Sequence, residues 1–160
     1  MCGDARRRRK GRRGLHRAAW RALCAAGGIE TPRAQAEVIL LDTNALIWVY
    51  RRHSRAAALA GRGRLYISPA SVLELQIVIE SGGFRLGGEA TVMEMIRADE
   101  RWVLDDPPSA AWFEEAVGVG WTRDPFDRLL VAHARMRRWP IATSDQRMIA
   151  QLRKDEFVEL

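Results

Sequence analysis

Cysteine, histidine and long apolar runs are all scarce in these 160 residues, and each scarcity removes a class of function. The two cysteines, Cys2 and Cys24, form no Cys-x-x-Cys pair and have no histidine at zinc-ligand spacing. That argues against a disulfide framework or a structural zinc site, and for a reducing, cytoplasmic setting. The three histidines, His16, His53 and His133, show no triad-like arrangement, and His133 falls on an apolar helix stripe where packing is the ordinary role. No apolar run approaches the roughly 18 residues a spanning helix needs, so no membrane crossing is expected. The basic start is not followed by the apolar segment of a secretory signal.

What is present is the composition of a soluble globular protein, 48% hydrophobic and 29% charged, with length for one domain. The formal charge of +6 is unevenly spread. Residues 1–33 hold ten Lys or Arg against Asp4 and Glu30, a charge of +8, whereas residues 34–160 hold sixteen against eighteen acids, a charge of −2. The run Arg6 to Lys10 with Arg12 and Arg13 has three open readings: an arm that neutralises nucleic-acid phosphates, a disordered extension, or a stretch upstream of the true start codon. The six tryptophans are expected in the core or at interfaces, Trp48 in the core among Leu46, Ile47 and Val49.

Beyond the arm the chain alternates strand and helix signals. Glu37–Leu41 is a continuous apolar run of the buried parallel type, and it ends at Asp42. Short helices are predicted over Asn44–Tyr50 and Ser54–Ala60, then a strand at Leu65–Ile67. Ser68-Pro69 opens a helix over Ala70–Ser81 that carries Glu74. A helix over Thr91–Glu100, a strand at Trp102–Leu104 and a helix over Ser109–Val117 follow. Asp124-Pro125 opens a strong helix ending at Arg137-Arg138, and Ile141–Thr143, Gln146–Leu152 and Phe157–Leu160 complete the order as strand, helix and strand. This is an α/β fold over residues 37–160, with a central, mostly parallel sheet flanked by helices.

Ligands of open α/β sheets bind beyond the carboxyl ends of strands. Asp42 and Asp145 sit just past strands, and Glu74 and Asp127 sit in the first turns of helices, so four acids can converge on one rim. Carboxylates without cysteine or histidine form a hard-oxygen site suited to Mg²⁺ or Mn²⁺, the ions that grip phosphates and activate water. Each acid also has a plain structural reading. Asp42, Asp124 and Asp145 can cap the helices that follow them, and Asp127 can reciprocate the cap of Asp124. Glu74 lies among Val72, Leu73, Leu75, Ile77 and Val78, where a lone acid is unfavourable unless paired or metal-bound.

Four segments in order resemble the PIN-domain family: Val38 to Trp48 with the first acid, Ile67 to Leu75 with the second, Arg123 to Ala132 with the third, and Ala142 to Asp145 with the fourth. The nearest likeness is to VapC-type toxins of bacterial toxin-antitoxin pairs. The resemblance spans residues 37–160, leaves the basic arm outside, and implies a single PIN-like domain. It implies a metal-dependent endoribonuclease with Asp42 and Asp127 as the main Mg²⁺ or Mn²⁺ ligands and Glu74 and Asp145 completing the catalytic site. Asp124 competes with Asp127 for the third position. The resemblance also implies an RNA substrate, a cognate antitoxin and homodimerisation. Two other readings stay open: a non-catalytic nucleic-acid-binding module that uses the arm, and a metal-dependent DNA nuclease.

Overall fold

Short, mostly apolar segments become the strands of the computed structural model, which describes residues 38–88 and 90–160. The basic segment 1–33 lies outside the described residues. In chain order the elements are β1 (Ile39–Leu41), α1 (Thr43–Tyr50), a 3₁₀ turn (Ser54–Leu59), β2 (Leu65–Ile67), α2 (Pro69–Glu80), α3 (Val92–Ala98), β3 (Trp102–Leu104), α4 (Ser109–Val117), α5 (Pro125–Arg137), β4 (Ile141–Thr143), α6 (Gln146–Ile149) and β5 (Phe157–Glu159).

The strands form one sheet in the order β3-β2-β1-β4-β5. Every pairing is parallel, with Leu41 beside Ile67 on one side and beside Ala142 on the other. Burial on both faces explains why the inner strands β1 and β4 read as unbroken apolar runs, whereas the edge strands β3 and β5 are partly exposed. Alternation of side chains across the sheet divides the core. Ile39, Leu41 and Ala142 pack with Leu46 of α1, Leu75 of α2 and Met95 and Ile96 of α3. Leu40 and Ile141 pack with Leu130, Val131 and Ala134 of α5 and Met148 of α6. A third apolar cluster, Ala70, Trp112, Ala116 and Ala132, joins α2, α4 and α5.

Because β1 has β2 on one side and β4 on the other, the strand order reverses direction between β1 and β4, and a crevice opens beyond their carboxyl ends. That crevice is where the four acids fall.

Several boundaries differ from those read in the sequence. The Ser54–Ala60 segment winds as a 3₁₀ turn, capped by the His53 ring nitrogen. The Gln146–Leu152 helix ends at Ile149, because Gln151 and Leu152 donate to carbonyls three residues back and tighten the chain out of the α form. Trp48 is only partly buried and stacks on His53, with the Arg55 guanidinium over its ring. Its place on α1 points away from the sheet, which Leu46 and Val49 cover instead.

His133 is a buried packing residue, as its place on the apolar stripe predicts, but it also joins a hydrogen-bonded relay that the sequence does not signal. His133 of α5, with no solvent exposure, has Nδ1 at 3.0 Å from Ser68 Oγ and Nε2 at 2.7 Å from Asp105 Oδ2. Arg137 Nε donates to the same Asp105 oxygen at 2.7 Å. The chain is structural, since Ser68 is equally buried and its hydroxyl accepts the Ala70 N–H that starts α2. No substrate reaches it. Burial lowers the His133 pKa against the pull of Asp105, so the ring is neutral at pH 7. Burial raises the Asp105 pKa, but the His133 and Arg137 hydrogen bonds outweigh it and the net shift is downward. A neutral ring that donates from Nε2 to Asp105 and accepts the Ser68 O–H at Nδ1 satisfies every member.

Replacing His133 by leucine fills the space but strips the Ser68 hydroxyl and the Asp105 carboxylate of a partner. The expected loss is about 2–3 kcal/mol in urea denaturation, against no more than about 0.5 kcal/mol for Leu73→Ala on the exposed face of α2. Equal losses would show that the relay does not hold the fold.

Candidate active site

Each acid enters the crevice by its own local route. Asp42 follows β1 directly and caps α1, its Oδ1 accepting the Ala45 N–H at 2.5 Å. Asp145 follows β4 by one residue and caps α6, accepting the Arg147 N–H at 2.8 Å. Glu74 stands on α2, half-buried, and accepts a short hydrogen bond from the Thr43 hydroxyl. Asp127 stands in the first turn of α5 and accepts the Thr122 hydroxyl at 3.1 Å.

All four line one cleft of about 830 Å³, together with Asp124. Asp124 spends Oδ1 on the α5 cap, accepting the Phe126 N–H at 2.8 Å, and is exposed. Asp127 is partly buried and takes its hydrogen bond from the Thr122 side chain and not from a cap N–H, which sets the two apart. The cleft wall also includes Trp121, whose indole N–H is buried without a hydrogen-bond partner among the described residues.

The electrostatics follow from crowding acids at a sheet edge. Burial pushes the Asp42 pKa from 3.8 up to about 6, with Glu74 and Asp145 adding to the rise and the Thr143 and Ala45 hydrogen bonds opposing it. Burial likewise raises Glu74, helped by Asp124 and Asp127 and opposed by Thr43. Burial raises Asp127 too, with Asp124 and Asp145 adding and Thr122 and Arg147 opposing. Three carboxylates in one cleft are thus held in a charge state that the fold resists.

An all-oxygen donor set under mutual repulsion fits a hard divalent cation. Among the described residues no three His, Cys, Asp or Glu side chains close into a ready-made cage. A cation here would rest on a few carboxylate oxygens with water completing its shell, which is the habit of magnesium.

The threonines escaped notice in the sequence. Thr43, Thr122 and Thr143 aim hydroxyls at Glu74, Asp127 and Asp42, and a hydroxyl next to or near an acid in the chain is the only signal that marks them. Arg128 secures the loop before α5 by donating to the Thr122 carbonyl at 2.7 Å.

The family profile described as PIN domain matches residues 39–154, which contain all four acids. The chain belongs to the PIN-domain family. Solved PIN-like structures resemble it in fold. The toxin-antitoxin complex from Klebsiella pneumoniae shares 19% identity and a TM-score of 0.56, covering 76% of this chain and 99% of that one. VapBC2 from Rickettsia felis, bound to a promoter DNA fragment, shares 15% identity and a TM-score of 0.54, covering 77% and 98%. PAE2754 from Pyrobaculum aerophilum shares 19% identity and a TM-score of 0.52, covering 79% and 91%. Among curated proteins none matches the chain. No helix among the described residues of the PIN domain is long and apolar enough to cross a membrane.

The raised pKa of Asp42 makes a prediction for the metal-free protein. Folding favours the protonated acid, so the penalty is absent below about pH 4, grows as pH rises through about 6 and is complete above. Its full size is about 3 kcal/mol. Asparagine keeps a side-chain oxygen for the α1 cap but carries no charge. In EDTA, Asp42→Asn is expected to raise Tm by several degrees at pH 7.5 and by nothing at pH 4. A variant less stable than wild type at pH 7.5 contradicts this.

Proposed function

We propose that this PIN domain is a divalent-metal-dependent endoribonuclease, the toxin of a VapBC-type toxin-antitoxin pair, and that it hydrolyses RNA phosphodiester bonds in the acidic cleft. The observation that carries the reading is the gathering of Asp42, Glu74, Asp127 and Asp145, from four separate segments, on one cleft at the β1/β4 switch point. PIN domains are generally nucleases, and the neighbours described as toxin-antitoxin complexes support the partner.

In this reading Asp42 and Asp127 are the main ligands of Mg²⁺ or Mn²⁺, and Glu74 and Asp145 complete the site. The bound ion supplies an acidified water as nucleophile and charge for the departing oxygen. The chain supplies orientation. Thr43 fixes the Glu74 carboxylate, Thr122 fixes Asp127, and the Ala45 N–H and Thr143 hydroxyl fix Asp42, so none of the three must reorganise when a phosphate arrives. The acids alone would repel a phosphodiester, which is why activity requires the ion.

The reading includes a cognate antitoxin and a homodimer in a cytoplasmic setting. Exposed apolar pairs one turn apart, Leu73 with Ile77 on α2 and Phe113 with Val117 on α4, offer surface to protein partners. An antitoxin that places an Arg or Lys among the four acids would neutralise them and compete with Mg²⁺. The purified toxin-antitoxin complex should therefore contain less than one equivalent of metal. An inactive complex fully loaded with metal would sink this mode of inhibition.

The function is tested with matched single-stranded RNA and DNA oligonucleotides in Mg²⁺ and in EDTA. RNA should be cut in Mg²⁺ alone. Outer-shell partners of metal ligands typically contribute about 10–100-fold, so Asp127→Asn is expected to lower the rate by more than about 100-fold. Millimolar Mn²⁺ should raise the Tm of wild type and leave that of Asp127→Asn unmoved. Cleavage that persists in EDTA, or in Asp127→Asn, overturns the assignment. Preferential cutting of DNA moves the substrate class.

A further inference from the structure

The acidic cleft poses a difficulty that its acids cannot resolve. Its substrate in the reading above is a polyanion, the portion of the chain from residue 34 onward carries a net −2, and five carboxylates line the cleft. A cation at the acids can attract the phosphate under attack, but the phosphates on either side of it need positive charge of their own. Among the described residues, two basic side chains line the cleft, Arg123 and Arg147.

Both are exposed, and neither guanidinium makes a hydrogen bond or ion pair among the described residues, although acids stand close by. Arg147 is near enough for its charge to act on Asp127. Four other arginines of the domain are engaged, Arg101 with Asp99, Arg128 with the Thr122 carbonyl, Arg137 with Asp105 and Arg153 with Glu156, so what sets Arg123 and Arg147 apart is their place on the cleft. The backbones beneath the two free groups are fixed. The Asp145 cap holds the Arg147 N–H, while Thr122 accepts the Asp124 N–H at 3.1 Å and Arg128 grips the Thr122 carbonyl, which pins the loop bearing Arg123. Two free planar forks on rigid supports beside a row of acids suit phosphate oxygens. The cleft has the volume of an ordinary ligand pocket, about 830 Å³.

We propose that Arg123 and Arg147 are the phosphate-gripping residues of the cleft, holding backbone phosphates of single-stranded RNA that flank the one presented to the acids. The inference rests on the ribonuclease reading and adds the residues that bind the substrate's backbone. Because they grip phosphates and not base edges, they add affinity without sequence preference.

The test uses the full chain, so that the basic N-terminal segment contributes equally to every protein compared. A fluorescein-labelled, randomised-sequence single-stranded oligoribonucleotide is titrated by anisotropy in Ca²⁺ across a series of KCl concentrations. Arg123→Gln and Arg147→Gln are each expected to weaken binding several-fold at low salt. Each should also flatten the log Kd against log salt slope by about 0.7, the loss of one phosphate contact on a single strand, and the double variant by about twice that. Arg97→Gln on α3 removes the same charge away from the cleft and serves as the control; it should leave the slope unchanged. In Mg²⁺ the cleft variants should raise KM more than they lower kcat. Slopes for Arg123→Gln and Arg147→Gln that match Arg97→Gln overturn the inference while leaving the ribonuclease reading intact, provided wild type cuts RNA in Mg²⁺. A wild-type protein that neither binds nor cuts the oligoribonucleotide overturns both.

Discussion

The buried charge of Asp42 is the constraint on which the carboxyl edge of the sheet depends. The residue is 7% exposed at the end of the central strand, between two other strands and beneath a helix it caps. Burial and the neighbouring acids push its pKa to about 6, and only the Thr143 hydroxyl and the Ala45 N–H work against that rise. Moving Asp42 outward would relieve the charge but lose the α1 cap and the packing of β1. The sheet therefore holds the acid in place, and a cation is the partner that would relieve the repulsion without moving the fold.

Capping a helix and lining the cleft are not competing roles here. A carboxylate has two oxygens and about four lone-pair directions. Asp42 and Asp145 each commit Oδ1 to a helix N–H, which fixes the side-chain rotamer while the group as a whole still lines the cleft. The cap is the orienting device. Asp124 shows the other outcome, for it caps α5 in the same way but sits exposed at the rim, beside Asp127.

Much of this was legible in the sequence because strand-end acids and apolar triplets are local signals. The unbroken apolar run into Asp42, the Ser68-Pro69 helix start and Ile141–Thr143 before Asp145 each predicted an element and the acid or cap attached to it. Glu74 was legible for a different reason, as a charge among aliphatic residues. What was not legible depends on contacts distant in sequence. Ser68, Asp105 and His133 are separated by dozens of residues, and the parallel pairing of β2 with β3 brings the first two side by side at the strand ends, within reach of α5. Trp48 was misplaced for the same reason: its neighbours are apolar, but the helix phase that buries Leu46 and Val49 turns it outward.

The two polar clusters of the domain differ in the direction in which their surroundings push the acids they hold. In the relay, Asp105 is held below its usual range by His133 and Arg137, and His133 is held neutral, so each group sits at pH 7 in the state its surroundings favour. In the cleft, Asp42, Glu74 and Asp127 are pushed the opposite way, toward protonation. Both clusters contain shifted groups, so a shift alone does not mark function. Its direction does. The relay lowers the free energy of the Asp105 charge, whereas the cleft raises that of its own acids, and a cation bound there would relieve that excess. Free arginines at the rim of such a cleft are consistent with the same logic, since pairing them with the acids would have cancelled the charge on both.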